Sequence, residues 1–160
     1  MNNFNQKGFG LVEIIIVAAI GMIILLSVAA YLNVSLKIAV EDINRTEALY
    51  LMKSSLEQAR SIRDEDWTNI NTLARGNEYH FEADTSDPKK WISASGNNII
   101  GKYTIRVVLS DVYRDVVNYD IVSSGGVLDT ETIKITSSVS YPTRDGIKQI
   151  ELYEYLTNFN

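Results

Sequence analysis

Residues 7–36 read KGFGLVEIIIVAAIGMIILLSVAAYLNVSL. The 23 residues from Ile14 to Leu36 carry no charged side chain. About 20 such residues cross the hydrocarbon core of a bilayer when they form a helix. A secretory signal has a shorter apolar region, of about 7–15 residues, which ends in a small-residue cleavage site. The run is too long for such a signal, so we expect residues 10–36 to form a transmembrane helix.

Glu13 stands at the very start of this apolar run. An acidic side chain at the centre of a transmembrane helix costs about 2.5–3.5 kcal/mol, and less near the interface. The simplest interpretation is that the side chain snorkels or that the positive end of the helix dipole tolerates it. Ionisable residues within membrane segments are, however, commonly functional. Glu13 is therefore a candidate site residue.

The segment Lys7-Gly8-Phe9-Gly10-Leu11-Val12-Glu13, with the apolar run behind it, resembles the prepilin cleavage signal of type IV pilins and type II secretion pseudopilins. In that family a membrane-embedded aspartyl peptidase cuts after the glycine on the cytoplasmic side and methylates the new N-terminal amine. The resemblance implies a leader of residues 1–8, with Lys7 as its basic residue. It places the cut between Gly8 and Phe9 and the methyl group on Phe9. The small Gly8 would let an extended backbone enter the peptidase cleft.

The same resemblance implies a role for Glu13 in assembly. After cleavage, Phe9 would carry a positive amine close to the Glu13 carboxylate of a neighbouring subunit, which gives a charge in an apolar environment its partner. The implied partners are a prepilin peptidase, other pilin or pseudopilin subunits in a homo- or hetero-polymer, and the membrane.

Two departures from the family pattern bear on the type of subunit. Gly10 replaces the usual hydroxyl residue, and the chain has no proline before Pro88. Many major pilins carry a proline within the apolar segment, where it kinks the helix. An unbroken helix therefore favours a minor pilin or a pseudopilin.

Helical periodicity continues beyond the apolar run. Apolar residues follow at steps of three and four, at Leu36, Val40, Ile43, Leu49, Met52, Leu56 and Ala59. We expect one helix from near Gly10 to about Arg63, with this apolar stripe facing a C-terminal sheet. The expected division is a long helical part at 9–66 and a β-rich part at 67–160.

The remainder alternates in the manner of strands, separated by turn signals such as Asp145-Gly146. The expected strands are Glu78 to Ala83, Tyr103 to Leu109, Val116 to Val122, Thr132 to Tyr141 and Ile147 to Leu156. Residues 68–77 are expected to form a loop, and Trp67 a core anchor. Strands that follow one helix predict an α+β fold, a long N-terminal helix packed on an antiparallel sheet.

Composition argues against catalysis and against nucleic-acid binding. The chain has no cysteine, a single histidine, His80, and no Gly-rich phosphate loop. Its net charge is −5, without a basic cluster. The acidic residues Asp111, Asp115, Asp120, Asp129 and Glu131 lack the spacing of a calcium loop and are interpreted as solvated carboxylates. We expect no enzyme activity, no metal and no cofactor.

The sequence thus predicts a structural subunit of a type IV pilus-like or type II secretion filament that polymerises through its N-terminal helix. Lys7 favours a single-pass orientation with a cytoplasmic N-terminus and an extracytoplasmic C-terminal part, although Lys37 and Arg45 lie on the far side. The filament would be periplasmic or extracellular. The alternative is an unprocessed, single-pass, membrane-anchored binding domain. Pilus, secretion and DNA-uptake systems remain equally open.

Overall fold

The computed structural model of the chain describes residues 10–159, which divide between two compact units, Met1–Ile43 and Asn44–Asn160. Two helices and seven strands occur in the described part of the chain. They are α1 Leu11–Glu65, α2 Trp67–Asn71, β1 Glu78–Ala83, β2 Trp91–Ser95, β3 Asn98–Ile100, β4 Tyr103–Arg114, β5 Ile121–Val122, β6 Val127–Thr143 and β7 Gly146–Thr157. The predicted α+β class, with one long N-terminal helix and an antiparallel sheet, is confirmed.

Helix α1 begins at Leu11 and ends at Glu65, close to the predicted bounds. The Gly10 carbonyl accepts the first hydrogen bonds, from the backbone N–H groups of Glu13 at 2.9 Å and Ile14 at 3.3 Å. Proline is absent from the whole span, and Gly21 is accommodated as an ordinary helical residue. The prediction of an unbroken helix is therefore confirmed.

One face of the C-terminal part of α1 packs against the sheet. Its buried residues recur at three- and four-residue steps, at Ala48, Met52, Ser55, Leu56, Ala59 and Ile62. Residues at these steps lie above one another on a helix. The predicted stripe was wrong in its first half, because the buried residues of α1 start only at Ala48. It failed at Leu36, Val40, Ile43 and Leu49, which are 66%, 57%, 57% and 38% exposed.

The sheet is antiparallel, with the strand order β2-β1-β4-β6-β7, and β3 and β5 pair with the two ends of β4. Strands β6 and β7 form the predicted hairpin, in which Val139 lies opposite Ile150. Its turn requires glycine, since Gly146 has a φ of 123°. A bulge between Asp111 and Val112 shifts the register of β4 against β6.

The helix-facing side of the sheet supplies the rest of the core. Alternate residues of β4 are buried, as are those at the matching positions of β6. The hydroxyl oxygens of Ser55 and Ser137 lie 2.6 Å apart inside this interface. At its edge Arg60 donates two hydrogen bonds to the Glu154 carboxylate, at 3.0 and 2.5 Å. These polar pairs set the register between helix and sheet, because a buried hydroxyl or carboxylate group is unfavourable without its hydrogen-bond partner.

The predicted strand at Val116 to Val122 was wrong. Only Ile121 and Val122 form a strand there. The Asp115 carboxylate accepts hydrogen bonds from the N–H groups of Val117 at 2.8 Å and Asn118 at 3.3 Å. This local capping competes with strand pairing and turns the chain.

Residues 68–77 are more ordered than predicted, because α2 begins with Trp67. The Asp66 carboxylate caps it by accepting the N–H of Thr68 at 2.8 Å. Trp67 is buried in the core, as expected.

Strands β2 and β3 were not predicted. Both are short and have no periodic sequence pattern. Strand β2 is stabilised by pairing with β1, and β3 by pairing with β4.

The packing of α1 on the sheet predicts a contrast between two identical substitutions. Leu56→Ala removes a side chain that is 4% exposed and should lower the free energy of unfolding by about 2–5 kcal/mol. Leu49→Ala is the matched control, and it should cost well under half of that, since Leu49 already contacts solvent. Urea unfolding of the full chain in detergent, followed by the fluorescence of Trp67 and Trp91, measures both. Equal losses would contradict the assigned helix face.

Candidate assembly site

The part of α1 that precedes Lys37 forms an apolar surface without a partner among residues 10–159. No residue between Leu11 and Leu36 is buried. Large side chains are exposed on every side, including Leu11, Val12, Ile14, Ile15, Ile16, Val17, Ile20, Leu25, Leu26 and Leu32. A helix that is apolar all round requires an apolar environment on all sides. This segment is long and apolar enough to cross a membrane, and it fits membrane anchoring.

Glu13 lies in the first turn of α1, where the helix dipole favours a carboxylate. Its neighbours along the chain, Val12 and Ile14, are exposed apolar residues. The charge therefore sits at the edge of the apolar surface rather than within a polar patch. The predicted processing residues Lys7, Gly8 and Phe9 lie outside the described residues.

Two polar side chains within the apolar part of α1 are satisfied by the helix itself. The Ser27 hydroxyl donates to the Ile23 carbonyl at 2.8 Å, and the Asn33 amide donates to the Ala29 carbonyl at 2.9 Å. Such bonds to the preceding turn lower the cost of placing these groups in lipid or in a helix bundle. Glu13 differs, because a carboxylate has no donor of its own to give to a carbonyl.

In the second unit, α1 and the start of β4 border a groove of about 640 Å³. We call it the α1–β3 groove, and its lining residues are Glu47, Tyr50, Leu51, Ser54, Ile100, Gly101, Lys102 and Tyr103. The Tyr103 hydroxyl donates to the Glu47 carboxylate, and Lys102 lies 3.7 Å from the same carboxylate. Burial of the ring raises the pKa of Tyr103, and the bond to Glu47 raises it further. Tyr103 therefore remains a protonated donor that closes one wall.

The other end of β4 carries an apolar turn, the β4–β5 loop of residues 115–120. Val117 is 84% and Tyr119 72% exposed. Tyr119 has a φ of 61°, which is uncommon for a residue with a side chain. Its carbonyl accepts a hydrogen bond from Arg114 at 3.0 Å, and Arg114 also donates to Asp129 at 2.6 Å. A charged pair at the base thus holds a loop whose tip is apolar.

Three of the five acidic residues of the candidate calcium stretch have separate side-chain partners. Asp111 accepts from Arg75 at 3.0 Å, Asp129 accepts from Arg114, and Glu131 accepts from the Asn158 amide at 2.7 Å. Within residues 10–159, no group of three or more His, Asp or Glu side chains is arranged to hold a metal ion.

The aromatic and imidazole side chains that the sequence left unassigned now have positions. Tyr141 is buried against Tyr103, with ring centroids 5.7 Å apart. Tyr153 and Tyr155 lie edge to face on the exposed side of β7. His80 is half-buried, with Nδ1 lying 3.2 Å from the Gly96 carbonyl. Neither the groove nor the β4–β5 loop was predicted from the sequence. The groove joins segments that are distant along the chain. The loop lies mostly within the segment that was wrongly predicted to be a strand.

Residues 3–29 match the family model described as the prokaryotic N-terminal methylation motif. That motif is the signature of the prepilin-type signals of type IV pilins and pseudopilins, so the resemblance identified from residues 7–36 is confirmed. The match implies processing by a prepilin peptidase and pilin-family assembly. It covers the N-terminal part of α1 and does not reach the sheet. No curated protein and no solved structure matches the chain.

The charged pair at the base of the β4–β5 loop predicts a dependence of stability on acid. Partial burial acts to raise the pKa of Asp129, but hydrogen bonds from Arg114, Thr132 and the Glu131 backbone outweigh it and hold the pKa below its usual value. A lowered native pKa stabilises the fold above the unfolded pKa of about 3.9, and this contribution disappears as the pH falls through the native pKa.

We therefore expect Asp129→Asn to be less stable than the wild type at pH 7, with a deficit that shrinks as the pH falls below the unfolded pKa of about 3.9. Thermal unfolding between pH 7 and pH 2.5 measures the difference. Asp120→Asn, which removes an exposed carboxylate of the same loop, is the control and should parallel the wild type. A deficit of Asp129→Asn that persisted unchanged at pH 2.5 would contradict the assignment.

Proposed function

We propose that this chain is a structural subunit of a type IV filament system, a minor pilin or a pseudopilin, and that its activity is polymerisation rather than catalysis. The observation that carries the proposal is an apolar helix surface, exposed on all sides and headed by Glu13, inside an N-terminal methylation motif. A simple membrane anchor needs the apolar length but has no use for the cleavage signal or for the acidic residue.

Bundling of α1 segments provides the driving contacts. In lipid, helix association gains little from the hydrophobic effect, because lipid tails are as apolar as the helix surface. Side-chain packing and specific polar contacts must then distinguish the filament from the dispersed subunit. Apolar residues alone would leave the axial register between neighbouring helices undefined.

The pairing of Glu13 with a neighbour's processed N-terminus supplies that register. Removal of residues 1–8 would leave Phe9 as the first residue, with a positive amine four positions before Glu13. A buried carboxylate without a partner costs about 3–5 kcal/mol relative to the paired state. Copies would therefore stack at the axial offset that brings each Phe9 amine to an adjacent Glu13.

The proposal includes a location and a set of partners. Lys7 retains the N-terminus in the cytoplasm, where the peptidase cuts, and the second unit lies outside the membrane. Assembly then transfers the subunit into a periplasmic or extracellular filament with other pilin or pseudopilin subunits. The lack of a proline in the apolar part of α1 favours a minor pilin or a pseudopilin over a major subunit.

Processing is the first test of the proposal. Co-expression with a prepilin peptidase should remove residues 1–8 and add one methyl group to Phe9, as read by intact mass and N-terminal sequencing. Gly8→Val should block the cut, because a branched side chain at this position hinders entry of the backbone into the cleft. Phe4→Val, a change within the leader but away from the cut, is the control. An unprocessed wild-type chain would instead support the membrane-anchored binding domain.

The second test concerns Glu13. Glu13→Val should leave membrane insertion and peptidase cleavage intact, yet reduce filament incorporation by at least about tenfold, since loss of one buried partner costs several kcal/mol. Glu57→Val, which removes an exposed helix carboxylate of the second unit, is the matched control. Sheared-filament fractions, probed with an antibody, give the measurement. Normal incorporation of Glu13→Val would rule out the pairing.

A further inference from the structure

The second unit has an open apolar groove at one end of β4 and a projecting loop with exposed apolar side chains at the other. Tyr103, the first residue of β4, lines the α1–β3 groove, and Arg114, its last residue, holds the β4–β5 loop. A strand of this length separates the two by roughly 35 Å. The two surfaces therefore cannot meet within one copy, and both expose apolar side chains to solvent.

The β4–β5 loop is organised to present apolar groups. Its backbone bonds within the loop: the Asp115 N–H donates to the Asp120 carbonyl at 2.9 Å, and the Tyr119 N–H donates to the Asp115 carbonyl at 3.1 Å. The Asn118 side-chain oxygen accepts the Asp120 N–H at 3.1 Å. Val117 and Tyr119 are left outside. A loop held in this way loses little conformational entropy when it binds.

The α1–β3 groove offers a matching apolar wall. Tyr50 and Ile100 are exposed on its opposite sides, and Leu51 is half-buried between them. Gly101 also lines the groove, and a β-carbon there would meet no other atom within 4 Å. Its charged residues, Glu47 and Lys102, already contact each other at the rim. The groove thus accepts apolar side chains without burying an unpaired charge.

Helix α1 and strand β4 advance in the same direction. The earlier helix residues Ala48 and Met52 share a cluster with Tyr103 and Ile105, whereas Leu56, Ala59 and Ile62 share one with Val107 and Leu109. Copies whose second-unit helices lie parallel and are displaced along their axis by the length of β4, roughly 35 Å, bring the loop of one towards the groove of another. The Phe9 to Glu13 step spans about 6 Å of helix, so the two contacts join different pairs of copies. Such a head-to-tail contact does not close on itself and so continues along a polymer.

We propose that the β4–β5 loop of one copy docks into the α1–β3 groove of a second copy, with Val117 and Tyr119 as the inserted side chains. This inference rests on the proposed polymerisation and adds to it an axial contact between the globular units. The occupant is a second copy of this chain, since the chain itself carries the complementary apolar loop.

The small size of the contact determines whether it forms between free subunits or only within a filament. The groove and the loop each offer about half a dozen residues, against the roughly 20–30 per side of a stable interface. Free copies are therefore expected to remain unpaired. Once the N-terminal helices are bundled, the effective local concentration makes a weak contact sufficient. The docking is thus a property of the filament and not of the isolated subunit.

Engineered cysteines test the contact against a clean background, because the chain has none of its own. The variant Ile100→Cys with Val117→Cys places one thiol in the groove and one on the loop. The control, Tyr153→Cys with Val117→Cys, keeps the loop thiol and moves the other to an exposed position on β7. All three replaced positions are exposed, and unfolding midpoints equal to the wild type verify that the variants fold.

Filaments of each variant, assembled with the prepilin peptidase, are oxidised and run on denaturing gels without reductant. A ladder of dimers, trimers and longer species from the groove pair, with monomer from the control and from detergent-dispersed protein, would support the docking. Filaments that form normally but give no ladder, or the same ladder from both pairs, would overturn it and leave polymerisation standing. Failure of the wild-type chain to form filaments at all would remove the proposed function and this inference together.

Discussion

Burial of one face of α1 against the sheet is the interaction on which the second unit depends. A lone helix is marginally stable in water, and a sheet without a covering layer exposes its apolar side. Met52, Leu56 and Ala59 supply the helix side of the contact, and alternate residues of β4 and β6 supply the other. Because both layers come from one chain, the contact organises everything that follows Asn44.

Register within that contact depends on a few polar groups. Apolar side chains tolerate small sliding movements, whereas hydrogen bonds have narrow distance limits. The bond between Ser55 and Ser137 lies in the interior, and the bidentate pair of Arg60 and Glu154 lies at the margin. Together they connect positions of α1 to β6 and β7. The same register determines where the α1–β3 groove and the β4–β5 loop lie at the two ends of β4.

The N-terminal part of α1 obeys a different constraint, because its apolar surface has no partner among the described residues. A helix can meet this constraint in lipid and in a bundle alike, since its backbone hydrogen bonds are internal. Ser27 and Asn33 conform by bonding to their own helix, whereas Glu13 cannot. One secondary-structure element thus carries an exposed apolar surface in its N-terminal part and a sheet-packed face in its C-terminal part.

The sequence by itself determined the long helix, the apolar segment with Glu13, the prepilin-type signal and the β6–β7 hairpin. Each is encoded locally, in a sustained 3.6-residue period, a short motif or a glycine turn. Only the tertiary structure decided that Ala48 rather than Leu49 faces the sheet, that β2 and β3 form, and that Asp115 turns a predicted strand into a loop. The groove combines residues 47–54 with residues 100–103. Such features depend on pairings between distant segments and on competition between local hydrogen bonds, and neither has a periodic signature along the chain.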